Sequence, residues 1–331
     1  MDSSPSEPDL VVISSVAING GKAVSLSRMP HQTTENIEGS KGNNDDKEKL
    51  IELCPLKLYD NNTTIHCIKW QPSNNENILM MDSRTVSLWN VSGSTVSLTN
   101  KVMLTEKSAP AFHGSVAWDP HSTLACAAAV GSDLQFLDLR TCSTSSSISN
   151  AHDGPIRDVD YNPNKSLTVV SCGDDRKVKF WDIRNLSAPV KILAGHSHWV
   201  WSARYNPFHD QLLLSCGSDN MVRPLQALLT FTVFLFYYLQ QVNLWRVASC
   251  SSAPWLTNEE SSSPTDHARG ASSADGSDPP DVKIRALDGH EDSVHAVAWS
   301  AADAWVYCSL SYDGRVLLNH VPSTEKYKIL L

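Results

Sequence analysis

The eight cysteines of this 331-residue sequence stand singly, with no CxxC pair and no closely spaced cluster. Cysteines so placed indicate small buried residues in a reducing compartment rather than disulfides or zinc ligands. The sequence also lacks a P-loop, a GxGxxG loop, an HExxH helix and a GxSxG turn. It therefore offers no nucleotide-binding, metalloprotease or serine-hydrolase motif, and we expect neither a cofactor nor a catalytic site.

Positive charge is also scarce, because 27 Lys and Arg residues face 36 Asp and Glu residues, for a net charge of −9. This balance argues against a surface that binds nucleic acid by bulk electrostatics. The N-terminus carries no basic region followed by an apolar run, so no signal peptide is predicted. Hydrophobic residues make up 41% of the chain, which is enough for a sizeable core.

A repeated unit organises the middle and the end of the sequence. In Ala151–Arg184, a histidine opens the unit, a turn aspartate follows, and Trp181-Asp182 closes it, with short β-type runs between them. The unit recurs from Gly195 and from Gly289, and the histidine and the turn aspartate stand 23 positions apart in all three copies. A fixed internal spacing of this kind resembles that of the WD-repeat family, whose repeats are four-stranded blades of a β-propeller.

The resemblance implies an all-β fold, a single WD-repeat β-propeller over residues 1–331 that is seven-bladed in the family. Only five repeats and a partial one are recognisable, so the propeller is expected to be N-terminally incomplete. We predict a partial blade at 9–30, blades at 50–98, 108–142, 150–187, 194–248 and 286–331, and a disordered, acidic and Ser-rich loop at 249–281. The terminal KYKILL is expected to supply a final strand.

The blade at 194–248 is interrupted by the apolar segment 223–242, RPLQALLTFTVFLFYYLQQV. Its removal would restore the spacing of six residues that separates the turn aspartate from the tryptophan in the first repeat. Three interpretations are open: an in-frame insertion such as unspliced intron sequence, a genuine functional loop, or a transmembrane or membrane-dipping segment. An exposed apolar segment of this kind is an aggregation liability.

Histidine, serine, aspartate and tryptophan recur together in the repeats. In WD-repeats these side chains form a buried hydrogen-bond network that ties a loop to a turn, whereas a hydrolase would need one exposed nucleophile with an oxyanion hole. We therefore predict a structural blade network rather than a catalytic triad, and we assign His196 to that network rather than to a metal. Its members are His152, Ser171, Asp175, Trp181, His196, Ser215, Asp219, Trp245, His290 and Asp313.

The rim of the propeller is the remaining candidate for function. Residues just after the first apolar residue of the first strand, and just before the turn aspartate, are expected to point to one face. Trp, Tyr and Arg dominate interface hot spots, although packing between blades is an alternative role for these side chains. The candidate partner-binding face comprises Arg157, Asp174, Trp199, Trp201, Ser218, His295 and Tyr312.

The runs RDVDYNPNKSLTVVSCGDDRKVKFWDIRN, HSHWVW and KYKILL make the chain similar to the EARP- and GARP-interacting protein family of TSSC-type WD-repeat proteins. The resemblance implies a non-enzymatic scaffold without a cofactor, cytoplasmic and peripherally located at endosomes and the trans-Golgi network. Its partners would be subunits of tethering complexes, with no nucleic acid and only indirect membrane association. Its role would lie in endosomal recycling and retrograde vesicle trafficking.

The WDIR sequence supports an alternative function. Trp181, Asp182 and Arg184 match the WDxR motif of propellers that dock on the adaptor of cullin-type ubiquitin ligases. FLDLR, which ends at Arg140, is a degenerate relative of the motif. Under this alternative the chain would be the substrate receptor of such a ligase.

Overall fold

The computed structural model describes residues 2–3, 10–16, 22–28, 51–56, 65–72, 74–92, 95–105, 114–224, 236–252 and 281–330. The chain divides into two compact units, unit 1 (Met1–Tyr161) and unit 2 (Asn162–Leu331). Antiparallel strands make up nearly all of the described structure, so the prediction of an all-β fold is confirmed. The blade boundaries proposed from the repeats remain predictions.

The described part of unit 1 contains three antiparallel sheets. The first has the order β1-β2-β3-β4, with strands Asp2–Ser3, Leu10–Val16, Lys22–Arg28 and Ile51–Leu56. The second has the order β5-β6-β7-β8, with strands Ile65–Gln71, Asn74–Asp82, Thr85–Ser92 and Thr95–Met103. The third has the order β12-β11-β10-β9, with β9 at Gly114–Trp118, β10 at Ala125–Val130, β11 at Asp133–Asp138 and β12 at Ser143–Ile148. Strand β13, Ile156–Tyr161, is the last element of the unit.

The strands of unit 1 that are buried on both faces have uninterrupted apolar sequences, as expected for strands without a solvent face. In β6, Leu79 and Met81 face one hydrophobic cluster with Val116 of β9. Ile78 and Met80 face a second cluster on the other side of the same strand. Successive side chains of a strand point to opposite faces, so a four-residue apolar run can fill two cores at once.

Unit 2 begins with β14, β15 and β16, at Thr168–Gly173, Val178–Asp182 and Lys191–Leu193. A four-stranded sheet of order β17-β18-β19-β20 follows, with strands Val200–Tyr205, Leu212–Pro224, Phe236–Val247 and Asp281–His290. The last sheet has three strands, β21-β22-β23, at Val294–Trp299, Val306–Ser311 and Val316–His320. Helix α1, Ser323–Leu330, ends the described chain.

The core of unit 2 is divided in the same way between the two faces of β18. Leu213 packs with Val170 and Phe180 in one cluster, whereas Leu212 and Leu214 pack with residues of β21 and β22 in another. All of these side chains are fully buried or nearly so. Each buried side chain of this size contributes about 1.5 to 3 kcal/mol relative to an exposed one, so this strand is central to the stability of the unit.

The strand register aligns the three repeats position by position. Val169 is paired with Trp181 in the first, and Leu213 is paired with Trp245 in the second. In the third, Tyr307 is paired with Asn319, which therefore stands at the position of the tryptophan.

The apolar segment 223–242 begins and ends on paired strands. Cys216 is opposite Val242, as Cys172 is opposite Val178 in the uninterrupted repeat. After a shift of register, a second ladder pairs Asn220–Pro224 with Phe236–Gln240, so the inserted residues lengthen both strands. The centre of the segment, 225–235, lies outside the described residues. No helix in the described part of the chain is long and apolar enough to cross a membrane.

The prediction of a final strand at the C-terminus is wrong, because residues 323–330 form helix α1. Three residues at intervals of four positions pack against the rest of unit 2: Val321, Glu325 and Ile329. A spacing of four is typical of a helix rather than a strand. The buried Arg246 donates a hydrogen bond from Nη1 to Oε2 of Glu325 at 2.8 Å. This ion pair and the packing of Ile329 favour the helix over an added strand.

Both described ends of the predicted loop 249–281 are held by hydrogen bonds and ion pairs. Ser249 donates from its backbone and its hydroxyl group to the carboxylate of Asp281, and Lys191 pairs with the same carboxylate at 2.6 Å. Ser252 donates to Asp210 from its backbone and its hydroxyl group. Residues 253–280 lie outside the described part of the chain, so their predicted disorder remains a prediction.

Candidate functional site

The second repeat holds a continuous hydrogen-bond network of four side chains. The indole N–H of Trp245 donates to Oγ of Ser215 at 2.8 Å, and Oγ of Ser215 lies 2.7 Å from Nε2 of His196. Nδ1 of the same histidine hydrogen-bonds to the carboxylate of Asp219. The donors and acceptors agree along the chain when the serine donates to Nε2 and Nδ1–H donates to the carboxylate.

Asp219 also joins two separate parts of the backbone. Its Oδ1 accepts hydrogen bonds from the backbone N–H groups of Ser197 and His198, both at 2.7 Å. Burial acts to raise the pKa of this carboxyl, but the bonds from His196 and these two N–H groups outweigh it, so the pKa lies below its usual value. The ionised carboxylate therefore holds the loop before β17 against the register shift that follows Cys216 in β18.

The first repeat contains part of the same arrangement within unit 2. The indole N–H of Trp181 donates to Oγ of Ser171 at 2.9 Å, as in the second repeat. The turn residue Asp175 forms a buried ion pair with Lys179, with Nζ and Oδ2 3.2 Å apart. His152, the remaining predicted member, is buried in unit 1.

The third repeat has a looser version of the network. Nε2 of His290 lies 2.7 Å from Oγ of Ser309, but Nδ1 stands 3.9 Å from the carboxylate of Asp313. The backbone N–H groups of Glu291 and Arg315 donate to that carboxylate, and the pKa of Asp313 is lowered although desolvation acts in the opposite direction. Asn319 cannot supply the indole N–H of a tryptophan, so this network is shorter by one bond.

The geometry of these groups suits a structural role. Ser215 is fully buried, and its hydroxyl oxygen already contacts His196 and Trp245, so no substrate carbonyl can reach it. A nucleophile needs an open site with oxyanion donors. Among the described residues, no group of three or more His, Cys, Asp or Glu is placed to hold a metal ion. The hydroxyl group of Ser215 is thus enclosed by its hydrogen-bond partners rather than exposed as a reactive atom.

Three candidate residues of the partner-binding face come together at one end of β17. The indole N–H of Trp201 donates to Oγ of Ser218 at 2.6 Å, and the ring of Trp201 meets that of Trp199 edge to face with centroids 6.0 Å apart. Trp199 is 40% exposed. Gly217 permits this arrangement, because a Cβ atom there would collide with the backbone oxygen of Trp199.

His295 and Tyr312 form a second part of the face. Their rings lie 4.6 Å apart, and Tyr312 is 62% exposed. Burial lowers the pKa of His295, so the imidazole is neutral at neutral pH and presents an uncharged ring behind the tyrosine. We refer to Trp199, Trp201, Ser218, His295 and Tyr312 as the aromatic face.

β-bulges re-aim two side chains of the aromatic face, Trp201 and His295. In β17, Val200 is opposite Gly217 and Ser202 is opposite Cys216, so the register slips by one residue at Trp201. The same slip occurs at His295 in β21. Bulges re-aim a side chain and recur next to functional sites.

The same bulge identifies a position that the sequence analysis missed. In β5 the register slips at His66, and Nε2 of this histidine lies 3.0 Å from Oγ of Ser83, as Trp201 contacts Ser218. The signal was present, since His66 follows Ile65 as Trp201 follows Val200. Of the other candidates, Arg157 lies in β13 of unit 1 and is partly exposed, and Asp174 lies in the turn after β14.

Within the WDIR motif, the arginine and the aspartate form an ion pair with each other. The guanidinium of Arg184 donates from Nε and Nη2 to the two carboxylate oxygens of Asp182 at 2.9 and 2.7 Å. This bond from Arg184 is the main reason that the pKa of Asp182 is lowered. The arginine side chain is 69% exposed, so the pair presents an oriented cation at the surface. Trp181 is buried and binds Ser171.

Further members of the networks also escaped the sequence analysis. Ser309 was missed because its repeat lacks the tryptophan that marks the others. The amide of Asn243 lies 3.1 Å from Nε2 of His196, and nothing in its sequence context distinguishes it. In β7, the indole N–H of Trp89 donates to the hydroxyl group of Ser87, two residues earlier. In this degenerate repeat the acceptor for the tryptophan therefore lies on the same strand.

Comparisons with known proteins agree with this architecture. The EIPR1 beta-propeller family model matches residues 6–224, and the model of the WD domain, G-beta repeat, matches residues 281–318. EARP and GARP complex-interacting protein 1 of Homo sapiens is 34% identical over 314 residues, which cover 92% of this chain and 74% of the relative. The EARP-interacting protein homolog of Danio rerio is 38% identical over 312 residues, with coverage of 92% and 74%.

A solved structure, "Crystal Structure of Mitotic Checkpoint Complex", contains a chain that superposes with a TM-score of 0.58. The match covers 95% of this chain and 71% of that chain at 13% sequence identity, so it bears on the fold alone. The prediction of a WD-repeat β-propeller is confirmed by the family models and this likeness together. The chain belongs to the EIPR1 β-propeller family.

Proposed function

We propose that this chain is a non-enzymatic scaffold that associates with the EARP and GARP tethering complexes. The observation that carries the proposal is the name shared by relatives that are 34% and 38% identical over 92% of the chain. The hydrogen-bond network of His196 supports a non-enzymatic role, because the hydroxyl group of Ser215 is buried and already hydrogen-bonded. The chain would act in endosomal recycling and retrograde vesicle trafficking, in the cytoplasm and peripherally at endosomes and the trans-Golgi network.

The aromatic face is the surface that we assign to the partner. Trp199 and Tyr312 are large, partly exposed rings held by neighbouring rings, so little conformational entropy is lost when a partner covers them. Such rings are the side chains that dominate binding energy at interfaces. Protein subunits of the tethering complexes are therefore the expected partners, with membranes reached only through them and no role for nucleic acid.

Replacing both Trp199 and Tyr312 with alanine is expected to weaken binding to purified EARP and GARP complexes by about 2 kcal/mol or more, roughly thirtyfold. The dissociation constant of the full chain for each complex is measured in a surface-based or a solution binding assay. The melting temperature should change less than for a core substitution, since Trp199 is 40% and Tyr312 62% exposed.

The matched control is the double alanine variant of Met103 and Val190, two exposed apolar residues outside the aromatic face. It should bind like the unmodified chain. Wild-type binding by the Trp199 and Tyr312 variant would remove the aromatic face from the proposal. Failure of the unmodified chain to bind either complex would defeat the proposed function itself.

The oriented pair of Asp182 and Arg184 favours a second candidate function, that of a substrate receptor on the adaptor of a cullin-type ligase. Under this candidate, Arg184→Ala should abolish adaptor binding in a pull-down, because the guanidinium is the exposed part of the motif. Arg140→Ala is the control, since Arg140 contacts Asp138 at 3.7 Å in the degenerate FLDLR sequence. Adaptor binding that survives in Arg184→Ala would eliminate this candidate.

A further inference from the structure

The two repeats that form the aromatic face carry their most exposed ring at different positions. Counted from the network histidine, Trp199 of the second repeat corresponds to Ser293 of the third. Ser218 corresponds in the same way to Tyr312. The backbone link is the same in both, because the N–H of Ser218 donates to the carbonyl of Trp199 at 3.0 Å and the N–H of Tyr312 donates to that of Ser293 at 3.1 Å. The exposed ring of the third repeat therefore stands just before the turn aspartate.

The ring of Tyr312 is covered by a neutral group on one side. The imidazole of His295 lies against it, with centroids 4.6 Å apart and planes inclined by 33°. Burial lowers the pKa of His295, so no positive charge stands behind the tyrosine at neutral pH. The tyrosine remains 62% exposed, which leaves the electron-rich face of its ring accessible.

Asp292 supplies a carboxylate beside this ring. Its backbone carbonyl accepts a hydrogen bond from the hydroxyl group of Ser311, the residue before Tyr312, at 2.7 Å. Its Oδ1 accepts a hydrogen bond from the backbone N–H of Ser293 at 2.6 Å, which fixes the direction of the side chain. Among the described residues, no hydrogen-bond donor or cation pairs with Oδ2 of Asp292. This oxygen is therefore available to a ligand.

The surroundings of the ring are negative. Three carboxylates lie in the loop before β21 and the turn after β22, those of Glu291, Asp292 and Asp313. The one guanidinium there, that of Arg315, is already paired with Glu291 at 2.7 Å. Burial lowers the pKa of His290, so the network histidine adds no charge at neutral pH. These segments therefore attract a cation.

We propose that Tyr312 and Asp292 form a subsite for a lysine or arginine side chain of the partner protein. This inference rests on the proposed function, since it names what the partner presents to the aromatic face. The cation would lie over the ring of the tyrosine and donate a hydrogen bond to Oδ2 of the aspartate. The net charge of −9 favours the same sign of partner.

The second repeat has a different chemistry at the corresponding position. His198 stands where the third repeat has Asp292, and its ring packs against Trp199 with centroids 4.9 Å apart. A carboxylate is thus absent beside this tryptophan loop position, which suits an apolar side chain. The two rings together would select a partner segment that carries a cation and an apolar residue.

The probe for this subsite is the short peptide acetyl-Gly-Arg-Gly-amide. Its control has citrulline in place of arginine, which keeps the shape of the side chain but removes the charge. The tyrosine rings of the full chain are isotope-labelled for NMR, and the signal of Tyr312 is assigned with Tyr312→Phe. We expect the arginine peptide to shift this signal saturably at millimolar concentration. The citrulline peptide should shift it at least about fivefold less.

On the protein side, Asp292→Lys should abolish the shift caused by the arginine peptide, whereas Asp303→Lys should not. Asp303 is a matched control, because it is exposed and its Oδ1 also accepts one backbone N–H, that of Trp305 at 2.8 Å. It precedes β22, whereas Tyr312 follows that strand, so the same change of charge is made at the opposite end of the repeat. The melting temperatures of both variants check that they are folded.

Binding to purified EARP and GARP complexes provides the second measurement. Asp292→Lys should weaken it by about tenfold or more and Asp303→Lys should not. Tyr312→Leu, which keeps an apolar side chain but loses the ring, should weaken it by about fivefold, whereas Tyr312→Phe should bind like the unmodified chain.

Equal shifts with the arginine and citrulline peptides would overturn the proposal, and so would equal losses in the two lysine variants. Tighter binding of the complexes by Asp292→Lys would also overturn it, since the partner would then present an anion. Arginine-specific shifts at Tyr312 in a chain that binds neither complex would support the cation subsite and defeat the proposed function alone.

Discussion

Replacing Asp219 with alanine is expected to lower the free energy of unfolding by about 3 to 5 kcal/mol, because the change leaves His196 and two backbone N–H groups buried without their acceptor. The carboxylate is 1% exposed, so water cannot replace it. Urea unfolding followed by tryptophan fluorescence measures the loss, and a fall of roughly 10 °C in melting temperature should accompany it.

The same residue predicts a dependence of stability on pH. The pKa of Asp219 is lowered in the folded state, so its contribution is complete above the unfolded pKa of about 3.9 and is lost as the pH falls through the folded value. Asp219→Asn, which cannot ionise, should therefore lose less stability than the unmodified chain over that acid range. Parallel pH profiles of the two proteins would contradict the assignment.

Asp313→Ala is the matched control for this experiment. Asp313 holds the same place in the third repeat, but it is less buried and stands 3.9 Å from its histidine. Its removal should cost clearly less stability than the removal of Asp219. Equal losses would mean that stability depends on the turn aspartate itself and not on the closed network of the second repeat.

Deleting residues 223–242 is expected to raise both the melting temperature and the soluble yield. The deletion joins Val222 to Asn243, so that Val222 takes the position opposite Cys216 that Val242 now occupies. The connection then shortens to that of the first repeat, which lowers the entropy cost of closing it by about 1 kcal/mol. It also removes an apolar run that favours aggregation.

The control is a deletion of equal length, residues 258–277, within the polar segment between Ser252 and Asp281. This change shortens the chain without removing an apolar run, so the soluble yield should stay the same. Calorimetry and the fraction of protein in the supernatant measure both variants. An unchanged or lower melting temperature after removal of 223–242 would defeat the interpretation of that segment as an insertion and favour a functional loop.

Much of the fold followed from the sequence, because short strands with fixed punctuation leave few alternatives. In the first repeat the sequence predicts β-type runs at 156–161, 167–172 and 178–181, and the structure has strands within a residue of these bounds. The helical C-terminus did not follow, since KYKILL has the composition of a strand. The ion pair of the preceding Glu325 with the distant Arg246 and the packing of Ile329 favour the helix. Local propensity cannot reveal a partner 79 residues away.

The candidate site was only partly predictable. Trp199, Trp201 and Tyr312 stand out as aromatic residues at rim positions, and the structure places two exposed rings there. The bulges that aim Trp201 and His295 were not predictable, because a slip of register depends on the partner strand.

The ion pair between Arg246 and Glu325 places a constraint on biosynthesis. During synthesis the arginine leaves the ribosome 79 residues before the glutamate. Until then the guanidinium that is buried near the end of β19 lacks its carboxylate, and an unpaired buried charge is strongly destabilising. The packing around the end of β19 is therefore completed only when the glutamate has also left the ribosome.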